Sequence, residues 1–175
     1  MDGDTSATSR GLVDATAFRR TMRHIPTPVA IVTTTVGTTP VGLTVGSFTS
    51  VSLEPALVTF FVDKQSTTWS QMDDSATFAI NILGHGMGER CRSFSGKGVD
   101  RFAGVRWSPS DDGDPILAEA SVVFECSKHS TQWLGDHIQV VGEVRRVQVL
   151  REELPLVFHR GTFLNLDPLL SAGRR

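Results

Sequence analysis

Two short runs rich in hydroxyl groups and glycine hold the residues best suited to binding chemistry. The first is Gly42-Leu43-Thr44-Val45-Gly46-Ser47-Phe48-Thr49-Ser50-Val51-Ser52-Leu53-Glu54-Pro55, with two glycines and five hydroxyl residues in fourteen positions. Small residues let backbone N–H groups approach a flat ligand, and hydroxyls donate to ring carbonyls and nitrogens. The same run also reads as an ordinary Ser/Thr-rich turn. The second is Asp63-Lys64-Gln65-Ser66-Thr67-Thr68-Trp69. Hydroxyl residues that open a helix cap its free N–H groups, and those N–H groups can hold a phosphate. Lys64 and Lys97 either add charge to such a site or are solvated surface groups. Asp136-His137 and His159-Arg160-Gly161 are two further polar clusters that read equally as surface.

Other chemistries find no anchor. No GxxxxGK(S/T), GxSxG, HExxH or GxGxxG segment occurs, which removes the usual phosphate-loop, serine-hydrolase, zinc-protease and dinucleotide-fold signatures. His24, His85, His129, His137 and His159 are scattered without metal-ligand spacing, so no metal is expected. The balance of 17 Lys+Arg against 19 Asp+Glu, a formal charge of -2, gives nucleic acid nothing to hold. No apolar stretch approaches the ~20 residues of a membrane helix. The acidic start Met1-Asp2-Gly3-Asp4 does not resemble a secretory leader. Cys91 and Cys126 lack a CxxC spacing and read as reduced thiols. The expectation is a cytoplasmic protein with no membrane and no nucleic-acid partner.

The polar runs need a frame, and the periodicity supplies one. With 175 residues the chain suits a single domain, read as 14–175 behind a flexible tail over 1–13. Phe18, Met22 and Ile25 recur at helical spacing after Asp14, a candidate N-cap, and Pro26 and Pro28 stop the helix. Val29–Val36 is a β-branched strand, 37–40 a turn and Val41–Val45 a returning strand. Leu57–Val62 and Thr77–Leu83 are strands; Thr67–Met72 and Met87–Phe94 are short helices; Ser95–Gly98 is a flexible loop. Ser121–Lys128 pairs with His137–Val149 around a tip near Gly135-Asp136, and a phase slip at Arg145-Arg146 predicts a bulge. Pro155–Phe158 and Thr162–Leu164 close the chain. About seven strands in hairpin order, without β-helix-β alternation, favour a mainly β, antiparallel barrel with a few short helices.

In this order the motifs resemble the flavin reductase-like, FMN-binding split-barrel family. The 42–55 run carries the signature. Asp63…Ser66-Thr67-Thr68, Asn81-Ile82-Leu83, Asp100-Arg101-Phe102-Ala103-Gly104, Gly135-Asp136-His137 and His159-Arg160-Gly161 follow in family order over roughly residues 15–165. The resemblance implies a Greek-key split β-barrel. It also implies the reductase component of a two-component flavin-dependent monooxygenase, which reduces FMN or FAD with NADH or NADPH. Such a component works as a homodimer and passes diffusible reduced flavin to a separate oxygenase.

The resemblance also implies where ligands lie. Positions matching Pro40, Val41, Gly42, Leu43, Thr44, Gly46 and Ser47 line the flavin ring and its ribityl chain, with Ser50 on the same run. Phe61, Val62 and Asp63 line the same ligand, and Ser66, Thr67 and Thr68 hold its phosphate. Ser93, Phe94 and Lys97 close over it, while His137, His159 and Arg160 take the nicotinamide. Gln132-Trp133-Leu134 replaces the usual small, polar hairpin tip, and His159 stands where many relatives carry Tyr. Two other functions suit the same barrel. One is an enzyme that holds flavin as a prosthetic group and acts on a small organic substrate, with Trp133 and Leu134 shaping its pocket. The other is a non-enzymatic flavin or haem carrier.

Overall fold

A computed structural model describes residues 13–96, 98, 100–164 and 166. Apart from Val13, the expected tail over 1–13 lies outside the described residues, as does Lys97. In chain order the elements are α1 (Ala15–Met22), β1 (Thr27–Pro28), β2 (Ala30–Val36), β3 (Thr39–Val45), β4 (Thr49–Leu53) and β5 (Ala56–Asp63). There follow α2 (Thr67–Met72), β6 (Thr77–Leu83), α3 (Gly88–Ser95), β7 (Trp107–Pro109) and β8 (Pro115–Leu117). The chain ends in β9 (Ala120–Leu134), β10 (His137–Val149), β11 (Val157–His159) and β12 (Thr162–Leu164).

Seven strands form one antiparallel sheet in the order β3-β2-β6-β9-β10-β5-β4. Its two end strands, β3 and β4, are consecutive in sequence, so the sheet curls back on itself without closing its ladder: a split barrel. The split matters for function. β4 pairs with β5 only from Ala56 to Thr59, so the Phe60–Asp63 end of β5 faces the end of β3 uncovered by a neighbour on that side. Ser47 bridges part of this gap. Its Oγ accepts from Phe61 N at 2.9 Å and donates to Phe61 O at 3.2 Å.

The β-branched run of β2 has no polar alternation because both of its faces are buried. Ala30 and Val32 point into a core with Phe60, Trp69, Phe78, Ile80 and Val140, while Val29 and Ile31 point to a second core with Leu83, Phe94, Leu117, Val123 and Leu156. Phe60 takes Trp69 and Phe78 edge-on, at ring-centroid separations of 6.0 and 5.5 Å. Asn81 on β6 is the polar pivot of the second layer. Its Nδ2 donates to Ile31 O (3.2 Å) and Thr33 Oγ1 (3.0 Å), and its Oδ1 accepts from Leu117 N (2.8 Å). Thr33 Oγ1 donates in turn to Pro115 O at 2.6 Å. These bonds tie the β7–β8 hairpin across the outer face of β2 and β6.

Several expectations need correcting. The polar 42–55 run is not all turn, because it contains β4. β4 is an edge strand whose Val51 and Leu53 face solvent, so its pattern carried no core signal. The β7–β8 hairpin has no signal in the sequence pattern, because its strands are three residues long and bounded by Pro109 and Pro115. Two residues, Thr27–Pro28, form a second small sheet with β11 and β12. The turn after β2 is shorter than 37–40, since Thr39 and Pro40 already belong to β3. β9 runs on to Leu134, well past Lys128. α1 ends at Met22, capped at its start by Asp14, so Ile25 lies beyond the helix. The residue before a proline disfavours the helical region, which holds Ile25 out ahead of Pro26. The bulge expected at Arg145-Arg146 is present: Val144 faces Cys126, Arg146 faces Glu125, and Arg145 is the extra residue. A second irregularity falls between Val141 and Gly142, where His129 is extra.

Candidate active site

A cavity of about 640 Å3 opens at the split. β3 and the connection after it contribute Leu43, Thr44, Val45, Gly46 and Ser47; β5 contributes Phe61, Val62 and Asp63. Gln65, Ser66, Thr67 and Thr68 lead into α2, Phe94 and Ser95 end α3, and Arg101 and His137 complete the wall. Pieces from nearly a hundred residues of sequence meet here because the sheet curls β3 toward β5.

Local chemistry explains each position. Asp63 Oδ1 accepts from Gln65 N at 2.8 Å and its carbonyl accepts from Ser66 N at 2.9 Å, which turns the chain from β5 into α2. Ser66 caps α2, its Oγ accepting from Trp69 N at 3.2 Å, so the hydroxyl proton stays available. The hydroxyls of Thr44 and Ser47 are spent inside the protein: Thr44 Oγ1 donates to Cys91 O at 3.0 Å, and Ser47 is the β5 bridge. What this segment offers the cavity is backbone. At Gly46 an added Cβ would come 3.1 Å from Thr27 Oγ1, so a side chain there would press on β1. At Gly42 it would come 2.9 Å from Phe94, which seats the aromatic ring against β3.

The main residue the motif reading left without a role is Arg101. Its Nε and Nη2 donate to Gly96 O at 3.0 and 2.8 Å, and its Nη1 donates to Gly42 O at 2.7 Å. Among the described residues no carboxylate lies within ion-pair distance of it. Burial pushes the guanidinium below its usual pKa. Each terminal nitrogen has a second N–H that makes no hydrogen bond among the described residues, and Arg101 lines the cavity. The sequence signal was Asp100-Arg101-Phe102-Ala103-Gly104, but a single arginine in a loop looks like solvated surface until its carbonyl partners are seen.

The remaining predicted residues spread out. Pro40, Val41 and Gly42 line an adjoining cavity of about 300 Å3 that shares Thr67, Thr68 and Arg101 with the first. Ser50 lies on β4 opposite Val58. Ser93 turns away, donating to Arg90 O at 2.8 Å and lining a separate hollow with Glu119. His137 reaches the large cavity, and its Nδ1 sits 2.8 Å from Asp136 Oδ1. That bond is the main reason the Asp136 carboxyl is held below the usual carboxylate range. His159 and Arg160 stand at the β11–β12 turn, where His159 Nε2 is 3.2 Å from His24 O and Arg160 N donates to Arg23 O at 3.1 Å. Their neighbours Phe158 and Gly161 line a third cavity of about 480 Å3, which shares Thr44, Val45, Gly46 and Ser95 with the first. Both cysteines are free and buried, and burial pushes Cys126 up to about 12, which leaves its thiol inert. Among the described residues no group of three or more His, Cys, Asp or Glu is placed to hold a metal, and no helix is long and apolar enough to cross a membrane.

Residues 22–167 match the flavin reductase like domain family. The chain belongs to this family. A flavin reductase of Pseudomonas putida is 38% identical over 155 residues, spanning 88% of this chain and 91% of that one. The reductase subunit of a flavin-dependent monooxygenase from Rhodococcus jostii (strain RHA1) is 35% identical over 168 residues, 96% of this chain and 86% of its own. The solved structure of a Streptomyces globisporus NADH:FAD oxidoreductase, in complex with NAD and FAD fragments, superposes with a TM-score of 0.83 at 34% identity, covering 90% of this chain and 98% of that one. The split barrel is therefore a flavin reductase fold in sequence as well as in shape.

Proposed function

We propose that this flavin reductase-like chain is an NAD(P)H:flavin oxidoreductase that reduces FMN or FAD and supplies the reduced flavin to a separate monooxygenase. The observation that carries the reading is the cavity at the split. Its wall of Leu43, Val45, Phe61, Val62 and Phe94 meets three hydroxyl residues, Ser66, Thr67 and Thr68, and Arg101, which has no carboxylate within ion-pair distance among the described residues. That pairing of a strand-built wall with an anion-binding end suits an isoalloxazine ring followed by a phosphate. Bound flavin supplies a ring that accepts a hydride, and a nicotinamide donor supplies the hydride.

The protein's own work is positioning. Backbone N–H groups of the Thr44–Ser50 run that β2 does not use would donate to the ring edge where negative charge develops, and preorganised donors of this kind are effective where water is excluded. Phe61, Val62 and Phe94 exclude it. Ser66, Thr67, Thr68 and Arg101 fix the phosphate and so the register of the ring. His137, oriented by Asp136, stands at the mouth where the donor enters. His159 and Arg160, on the β11–β12 turn beside Phe158 and Gly161 of the neighbouring cavity, are the further nicotinamide contacts of this reading. No side chain is needed as general acid or base.

Two experiments test the reading. Purified protein should oxidise NADH or NADPH through many turnovers of added FMN or FAD. Tightly bound flavin without NADH oxidation would favour an enzyme that holds it as a prosthetic group. The Thr67→Ala, Thr68→Ala double variant should bind FMN about tenfold to a hundredfold more weakly, since a hydrogen bond to a charged group is worth roughly 1.5–3 kcal/mol. Riboflavin, which has no phosphate, should lose little; equal losses would put the phosphate elsewhere.

The assembly is read as a homodimer. Phe18 and Met22 on α1, Ile25 beyond it, and Val147 and Val149 on β10 are exposed apolar groups that a second copy would cover. Light scattering should give twice the chain mass of 19.0 kDa.

A further inference from the structure

We propose that Ser47 is a positioning residue of flavin reduction: its hydroxyl takes the place in the sheet that its own main chain would fill, and so releases the N–H groups of Gly46 and Ser47 to the cavity. The inference rests on the reductase reading of the main cavity and deepens it.

The register shows the place. β4 pairs with β5 at Ser50–Val58 and Thr49–Thr59. Continued toward the split, the same antiparallel register sets Ser47 opposite Phe61. A residue paired in the ladder at that point would exchange both bonds through its own N–H and C=O. Here the side chain does both: Ser47 Oγ accepts from Phe61 N at 2.9 Å and donates to Phe61 O at 3.2 Å. A hydroxyl has the donor and the acceptor this requires, and a methyl group has neither. The ladder therefore runs on past the point where the main chain has left it.

The departing main chain is what the cavity gains. β3 ends its pairing with β2 at Val45–Ala30 and β4 begins at Thr49, so Gly46 and Ser47 lie in neither strand. Their N–H groups make no hydrogen bond among the described residues, and both residues line the large cavity. The segment is fixed on either side. Thr44 Oγ1 donates to Cys91 O at 3.0 Å, and the Phe48 ring packs on Phe124 at a centroid separation of 5.2 Å. Free donors on a fixed segment suit a negative charge that appears only on reduction, since they need not rearrange as it develops. Ser47 therefore acts on the reduced, anionic flavin more than on the neutral oxidised ring.

The test uses the full-length protein and Ser47→Ala. Without flavin, the Phe61 amide should exchange its hydrogen about tenfold faster than in wild type. Anaerobic titration should give a Kd for reduced FMN raised about tenfold, with the Kd for oxidised FMN within about threefold. The single-turnover rate of flavin reduction by NADH should fall about threefold to tenfold. Ser47→Thr keeps the hydroxyl and should restore all three. Ser47→Cys keeps the bulk with only a weak donor and acceptor, and should show the same split with smaller losses, which serves if Ser47→Ala does not fold. Unchanged exchange at Phe61 overturns the inference. Equal losses for oxidised and reduced FMN overturn it too, because the hydroxyl would then hold only the fold. A wild type that binds FMN but oxidises no NADH sinks the reductase reading alone, since the exchange and the two affinities need no hydride donor.

Discussion

Replacing Arg101 with methionine should weaken FMN binding about a hundredfold and riboflavin binding by less than about fivefold. The guanidinium is already held by three hydrogen bonds to the carbonyls of Gly96 and Gly42, so it is prepositioned before any ligand arrives. Among the described residues it has no carboxylate to surrender, and a charge-assisted bond formed without breaking an ion pair retains its full worth, roughly 1.5–3 kcal/mol. One or two such bonds, at about 1.4 kcal/mol per factor of ten, give the hundredfold. Arg101→Met keeps the unbranched apolar stem and loses the guanidinium and its charge. Riboflavin is the control for the clamp itself: if both flavins lose alike, Arg101 acts only by tying Gly96 to β3. Arg101→Lys should recover part of the FMN affinity and none of the forked geometry. Flavin fluorescence titration reads all three variants.

The second large effect falls on stability. Asn81→Leu is nearly isosteric, yet it should cost about 3–4 kcal/mol, because it leaves the fully buried Leu117 N–H without an acceptor and strips a donor from Thr33 and from Ile31 O. For a chain of this size each kcal/mol is worth about 2–4 °C, so the Tm should fall by about 6–16 °C by calorimetry. Asn81→Asp should do as badly, since the carboxylate keeps the acceptor for Leu117 N but faces Ile31 O without a donor. A shift under about 3 °C for Asn81→Leu would mean that the β7–β8 hairpin is not anchored by this residue.

Local patterns in the chain carried the frame well. β2 announced itself by β-branching, and α2 and β6 begin and end at the residues that periodicity and capping indicate. The bulge at Arg145 was visible as a change of phase along β10. Two kinds of feature were not legible. Edge elements such as β4 bury almost nothing, so no alternation marks them. Contacts between distant residues leave no local trace: Thr33 meets Pro115 across 82 positions, and Arg101 meets Gly42 across 59. The same distinction divides the site. Ser66, Thr67 and Thr68 could be read from helix-start chemistry, whereas the spent hydroxyls of Thr44 and Ser47 became apparent only with Cys91 and Phe61 beside them.

α1 has no buried residue, although Phe18 and Met22 stand on one side of it. Eight residues are too few to hold a helix in water, where isolated helices shorter than about 12–15 residues are marginal. Within one chain, the amide hydrogens of Phe18–Met22 should therefore trade with deuterium almost as fast as those of an unfolded peptide, while amides of β2, β6 and β9 wait for global opening. Dilution then becomes an instrument. If a second copy covers α1, its exchange should slow with rising protein concentration along the same curve as the mass, and the amides of this one helix would report the association constant without a label.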